Sequence, residues 1–301
     1  MEEEVVSGGA AVLSKKEKVN LKEVVMKIVF IIAAVIFIVA VLTICVFVFA
    51  QAFTAIKEIG LFEFLFNSKW TPMDGVPSFG IATMIVGSCY VTAGALVIGV
   101  PLGLLTATFM AFYCPKPLYK VMKPMVNILA GIPSIVYGWF GLSVIVPIIS
   151  DLFGGSGRSI LAASIVLGIM ILPTIISISE NALRAVPKNY YEGAVALGAT
   201  KERAIFRTMF PAAKSGIVTS VILGLGRVIG ETMAVVMVCG NQAVFPDSIA
   251  DGVRTLTANI VLELGYATDL HRGALIATAA VLFIFILIIT LLVALIRKKA
   301  K

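Results

Sequence analysis

The chain has 301 residues, 59% of them hydrophobic and only 14% charged, with a mean hydropathy of +1.04. A soluble domain carries about a quarter charged residues, and no soluble core hides this much apolar surface, so lipid must be the solvent for most of the chain. The net charge of +7 would suit a nucleic-acid binder only if it were gathered on one polar surface. It lies instead at the edges of apolar segments, so no nucleic acid is expected.

Residues 1–27 read as an N-terminal tail, of which about the first twenty, polar and charged and without clear apolar periodicity, are expected to be mobile. Residues 28–50 carry no charge and supply the roughly 20 apolar residues that a bilayer crossing needs. No A-x-A site follows, so this reads as an uncleaved span rather than a signal peptide. Residues 51–79, with Trp70, Thr71 and Pro72, read as an external loop with an interfacial fold. Residues 75–115 hold no charge at all. They predict one long tilted helix over 80–113, kinked at Pro101. Further spans are expected over 125–150, 160–179, 216–240 and 274–296, followed by a short tail over 297–301. The fold class is all-α integral membrane, with about six transmembrane helices.

Orientation follows the Lys/Arg bias of the connecting segments. With the N-terminus inside, the inner segments hold Lys15, Lys16, Lys18, Lys22, Lys27, Lys116, Lys120, Lys123, Arg184, Lys188, Lys201, Arg203, Arg207, Lys214, Arg297, Lys298, Lys299 and Lys301. The outer ones hold only Lys57, Lys69, Arg158, Arg254 and Arg272. Both termini are therefore expected in the cytoplasm. The outer segment 241–272 carries Asp247, Asp251, Glu263 and Asp269, and with 51–79 it is either a docking surface or a solvated connector.

No catalytic or metal centre is expected. Cys45, Cys89, Cys114 and Cys239 form no CxxC pair, and three of them read as small buried hydrophobes. The single histidine, His271 beside Arg272, reads as a surface or loop residue.

Residues 190–210 read as helix, turn, helix. Tyr191, Ala194, Val195 and Leu197 give the first helix a partly apolar face, and Gly198 suits the left-handed position that ends it. Thr200 can cap the next helix, with Glu202 near its positive end, and Pro211 is expected to stop it. Short helices set crosswise under a membrane domain make a rigid knob that a partner can grip. A helix lying on lipid, with Arg203 and Arg207 toward headgroups, fits the same residues. A DNA-reading helix-turn-helix wedged between two spans does not.

The most informative stretch inside the membrane runs from Gly224 to Met233 and contains Arg227 and Glu231. Each such charge at mid-bilayer costs on the order of 2.5–3.5 kcal/mol. The i, i+4 spacing puts both on one helix face, on a stripe with Ser220, Gly224 and Ala234, and Gly226 and Gly230 allow close helix approach. One reading is a polar lane in which Arg227 offers its planar fork to a passing oxyanion while Glu231 holds it. The other is a buried ion pair that fixes helix register.

Glu192-x-Ala194-x-x-x-Gly198, with Pro211 thirteen residues beyond the glycine, resembles the EAA loop of bacterial ABC-transporter permeases. Gly193 stands where that pattern has Ala, and Thr208 and Phe210 where it has Ile and Leu. The runs 130–138, 172–174, 179–183, 224–235 and 240–241 resemble the phosphate permeases, the PstC-type subunit more than its PstA-type partner. The resemblance implies a type-1 ABC (MetI-like) transmembrane domain over 80–296, a core of five helices with an added N-terminal helix. It implies that the 181–215 loop couples to the ATPase through Glu192, Gly193, Ala194, Gly198 and Pro211. It also implies a second permease of PstA type, two copies of a PstB-type ATPase and an external phosphate-binding protein of PstS type.

The function expected is a phosphate importer's permease in the cytoplasmic membrane, without a cofactor of its own. No G-x-x-x-x-G-K-[ST] is present, so ATP hydrolysis is expected on another chain. A sulfate or molybdate permease shares the chemistry of the lane. An ion-coupled transporter often shows repeated halves, and none is visible here.

Overall fold

The computed structural model describes residues 21–299. It is built almost wholly of helices, and their order is set by where prolines, glycines and charges interrupt long apolar runs. Helix α1 covers Leu21–Ile59, well beyond the expected 28–50 on both sides. The expected tail over 1–27 thus becomes helical at Leu21, and its earlier part lies outside the described residues, as do the last two residues of the 297–301 tail. The chain divides into two compact units, one ending at Phe47 and the other beginning at Val48. Leu21–Phe47 are one helical run, charged only at Lys22, Glu23 and Lys27 and uncharged from Ile28 onward.

In the second unit, α2 (Leu61–Phe66) and a two-stranded antiparallel hairpin, β1 (Trp70–Thr71) and β2 (Ser78–Phe79), occupy the expected loop. Trp70 pairs with Phe79 across it. Phe64, Trp70 and Phe79 are buried with Leu256 and Leu275, so this segment is a packed cap rather than a tether. Helix α3 (Ala82–Thr108) follows, with Pro101 inside it, and runs into a π-helical turn, Phe109–Tyr113.

The expected third span, 125–150, is corrected. Helix α4 (Lys116–Gly131) is separate from α5 (Ser134–Phe140), and the chain turns extended at Ile132. Pro133 is the cause: it lacks a donor and drives the residue before it out of the helical region. The apolar span is α5, a π-helical turn at Gly141–Ile145 and α6 (Val146–Phe153).

Helix α7 (Ile160–Arg184) is the central strut. Its start is capped by the Ser159 hydroxyl, which accepts from the Ala162 N–H at 3.2 Å. It lies against α3 through small residues. A methyl group added at Gly94 would stand 2.1 Å from Ser164 Oγ, and one at Gly99 or Gly103 would stand 2.7 Å from Ile171 or Ile175. Lipid tails are as apolar as leucine, so helices in a membrane associate through such close packing rather than by expelling water.

The remaining helices are α8 (Lys188–Ala196), α9 (Lys201–Ala204), α10 (Phe210–Ile229), α11 (Met233–Val238), α12 (Leu256–Glu263) and α13 (Asp269–Lys299). Six helical stretches among the described residues are long and apolar enough to cross a membrane: 22–59, 82–113, 134–153, 160–184, 201–229 and 269–291. The cysteines are all free, and only Cys239 is buried, so the expected set of three buried thiols shrinks to one.

Candidate functional site: a broken membrane helix and an exposed helical knob

The stripe expected on one continuous helix is interrupted. Helix α10 ends at Ile229, and Gly230–Thr232 leave helical geometry before α11 begins. Glycine's low helix propensity at Gly230 permits the break. One tertiary and one local bond then hold it: the Glu231 carbonyl accepts from the Thr257 hydroxyl at 2.9 Å, and its carboxylate accepts from the Ala234 N–H at 3.1 Å. Glu231 therefore serves the start of α11. The expected i, i+4 pair with Arg227 is not formed, because the break takes Glu231 off the α10 face. Arg227 is half-buried, and its side chain makes no ion pair or hydrogen bond among the described residues.

Of the other three residues of the stripe, Ala234 lies beyond the break, buried in α11, and Ser220 and Gly224 face the α7 strut. Ser220 is fully buried, with its hydroxyl 2.8 Å from that of Ser179, and Gly224 sits under Ile175. They set how closely α10 approaches α7, and Arg227 and Glu231 lie toward the broken end.

The knob is built as its residues suggest. Helix α8 buries no side chain. Gly198 takes φ +87°, which costs a residue with a Cβ roughly 1–2 kcal/mol. The Gly198 N–H donates to Val195 O at 2.9 Å and the Ala199 N–H to Ala194 O at 3.1 Å, the two bonds of a Schellman ending. Thr200 accepts from the Arg203 N–H at 3.4 Å and starts α9. Glu192 and Gly193 stand exposed on α8, and Leu197 at its end is 92% exposed.

Pro211 does not stop the helix. α9 continues through a π-helical turn, Ile205–Met209, into α10, where Pro211 occupies the first turn. The proline is tolerated there because the π-helical turn just before it already shifts the backbone pairing, so its missing N–H does not break the helix. The knob is thus joined rigidly to the membrane helix. A groove of 410 Å³ beneath it is lined by Phe112, Arg184, Lys188, Tyr191, Lys201 and Met209, among others. Lys201 Nζ sits 4.2 Å above the Tyr113 ring.

Two buried carboxylates outside the expected set organise the ends of the bundle. Glu180, fully buried near the end of α7, accepts from Lys123 Nζ at 2.6 Å, the Tyr119 hydroxyl at 2.6 Å and Arg184 Nε at 2.8 Å. Arg184 also donates to the Met110 carbonyl at 2.6 Å. Its i, i+4 relation to Glu180 is the one signal visible in the sequence; Lys123 and Tyr119 come from α4.

Glu263, at the end of α12, accepts from Arg254 at 2.5 Å and from Trp70 Nε1 at 2.8 Å, and lies 2.9 Å from His271 Nε2. His271 is therefore a buried partner in the first turn of α13, not the surface residue expected. A lone histidine gives no hint of a carboxylate eight residues away across a turn.

Among the described residues no group of three or more His, Cys, Asp or Glu could hold a metal ion. Residues 99–301 match the family model described as "Binding-protein-dependent transport system inner membrane component". The chain is 38% identical over 295 residues to the "Probable ABC transporter permease protein YqgH" of Bacillus subtilis (strain 168), covering 95% of this chain and 96% of that protein. It is 34% identical over 278 residues to the "Phosphate transport system permease protein PstC" of Mesorhizobium japonicum, covering 85% and 84%. Among solved structures, a chain of a bacterial alginate ABC transporter superposes with a TM-score of 0.60 at 16% identity over 92% of this chain and 94% of that one. A chain of the MetNI methionine ABC transporter does so with a TM-score of 0.58 at 21% identity, over 73% and 96%. These two likenesses speak for the fold alone.

Proposed function

Because the chain belongs to the binding-protein-dependent transport system inner membrane component family, we propose that it is the permease subunit through which an ATP-driven importer carries inorganic phosphate across the cytoplasmic membrane. Its fold is the type-1 ABC transmembrane fold.

One observation carries the reading: Arg227, a guanidinium in a membrane span without a carboxylate partner among the described residues, stands three residues before the helix break at Gly230. A cation held there costs on the order of 2.5–3.5 kcal/mol, and a passing oxyanion offsets that cost by accepting its two-pronged hydrogen bond. Broken membrane helices free backbone groups where a polar solute must pass. Phosphate as the oxyanion is supported by relatives that carry the name of a phosphate permease.

In this reading Arg227 and Glu231 line the lane, and Ser220 and Gly224 hold α10 against α7. The end of the bundle with Lys116, Lys120, Lys123 and Lys201 faces the cytoplasm, as do both termini. Glu192, Gly193, Ala194 and Gly198 form the knob that meets a PstB-type ATPase, present in two copies, while Pro211 lies in the helix that joins the knob to the membrane. A PstA-type permease completes the pathway, and a PstS-type phosphate-binding protein delivers to the opposite face, where the Trp70–Phe79 cap lies.

The test is uptake of labelled phosphate, sulfate and molybdate by vesicles holding the reconstituted complex with its binding protein. Phosphate uptake that requires ATP is the expected result. Equal uptake of sulfate or molybdate overturns the substrate, and uptake without ATP overturns the coupling.

A further inference from the structure

We propose that Glu180 is a positioning residue of the transport cycle. It locks α4, α7 and the end of α3 into one body, and that body carries a push on α8 to the break between α4 and α5. The inference rests on the reading of α8 as the ATPase's docking knob.

The links are continuous. Three residues, 185–187, separate α7 from α8, and among them Val186 packs with Leu183, Met209 and Ala213, against which Tyr191 of α8 also lies. Arg184, at the last position of α7, holds Glu180 with Nε and the Met110 carbonyl with another nitrogen. Met110 belongs to the π-helical turn that ends the α3 span. Its carbonyl is free to accept because a π-helical turn shifts the usual backbone pairing.

Glu180 spends its remaining capacity on α4, through Lys123 and Tyr119, and Arg184 stacks on the Tyr119 ring with its guanidinium carbon 4.5 Å from the ring centre. At its far end α4 stops at Ile132–Pro133, and the Tyr137 hydroxyl reaches back across that break to the Leu129 carbonyl at 2.8 Å. Gly138, next to Tyr137, lies so close to Ala234 of α11 that an added methyl would stand 2.9 Å from its Cα. The path therefore ends at the broken helix that carries Arg227 and Glu231.

A carboxylate with three donors in fixed directions resists shear better than an apolar contact, which can slide. Replacing it should let α8 move without moving α4.

The experiment uses the complete reconstituted complex. It measures binding-protein-stimulated ATP hydrolysis and phosphate import together, and reports their ratio. For Glu180→Gln the expected result is an ATPase rate kept within about twofold while phosphate moved per ATP falls about tenfold. In a double-mutant cycle, Glu180→Gln with Lys123→Gln should be no worse than the first change alone, since both cut one link. Tyr119→Phe removes one bond without a charge. It should assemble fully and lower the ratio by about half.

An unchanged ratio in Glu180→Gln overturns the proposal, as does a parallel loss of ATPase and import. Failure of Glu180→Gln to assemble, with Tyr119→Phe at the wild-type ratio, also overturns it and leaves the cluster as a structural staple. Failure of the underlying reading has a different sign: Glu192→Lys or Gly198→Pro in α8 and its turn would then leave import and ATPase co-purification intact.

Discussion

Glu180 and Glu263 sit at opposite ends of the same two struts, α3 and α7, and are treated alike. Each carboxylate is buried and met by two basic side chains and one aromatic donor: Lys123, Arg184 and Tyr119 at one end, and Arg254, His271 and Trp70 at the other. Arg227, between them, is treated in the opposite way. Its helix breaks beside it, and the nearest acid in sequence turns to cap α11. The contrast separates two uses of charge in a membrane protein. A saturated carboxylate makes a joint, because taking away one partner strands the others in a medium that cannot hydrate them. In the reading proposed above, an unsaturated guanidinium serves as a binding site, because its donors are still to be used.

The sharpest way to break this comparison is to neutralise the middle. Arg227→Gln should abolish phosphate import while the complex assembles and melts as the wild type does, since no carboxylate loses a partner. Arg227→Lys should recover part of the import, because an ammonium keeps the charge but not the fork. Adding Glu231→Gln to Arg227→Gln should restore nothing. Import and melting temperature are measured side by side. A large drop in melting temperature for Arg227→Gln would make Arg227 a joint like the other two, and the contrast would fail.

The converse change is Glu263→Ala. It strands Arg254 and His271 against Trp70 and should lower stability by about 3–5 kcal/mol, seen as a lower melting temperature and less assembled complex. Import per assembled complex should stay near the wild-type value. If import per complex falls instead, the Glu263 end belongs to the pathway.

Much of this arrangement was legible in the sequence, for a physical reason. Spans, the Gly198 turn and the Thr200 cap depend on local composition and on backbone rules that act within a few residues. The joints depend on pairs brought together by packing. Lys123 and Glu180 are 57 positions apart and Trp70 and Glu263 are 193 apart, and no periodicity links them. The α10 break escaped for a related reason. Arg227 and Glu231 have ideal helical spacing, but bonds to α12 and the start of α11 outweigh one turn of helix. Pro133 and Pro211 look alike as breakers, yet of the two only Pro133 breaks, because a π-helical turn precedes Pro211 and takes up the shift in backbone pairing.

The struts between the two joints offer a smaller test. Gly99→Leu forces a side chain into Ile171 and the Gly168 carbonyl, where even a methyl carbon would come within 3 Å. Overpacking of this kind costs about 1–3 kcal/mol. It should reduce stability and import together, with phosphate moved per ATP unchanged, because α3 and α7 would still move as one piece. A changed ratio would mean that spacing along the struts, and not only their end joints, sets the coupling.

The smallest effect expected is that of Trp70→Phe, and it asks what holds a joint together. The indole N–H donates to Glu263 Oε2 at 2.8 Å, while the ring packs edge-on against Phe79 at 5.8 Å and His271 at 6.1 Å. Phenylalanine keeps most of that packing and deletes one donor. Oε2 then retains His271, and Oε1 retains Arg254, so the carboxylate loses one of its partners without being stranded. The cost should be about 1–2 kcal/mol, below that of Glu263→Ala. Trp70→Ala should cost more, because it also opens a cavity beside Phe64 and Leu275 in the cap. Melting curves of the two variants beside Glu263→Ala give the order. If Trp70→Phe proves as damaging as Glu263→Ala, the donor rather than the charge is what fastens the cap to α12. The likeness between the two ends would then rest on their aromatic donors, Tyr119 and Trp70, more than on their cations.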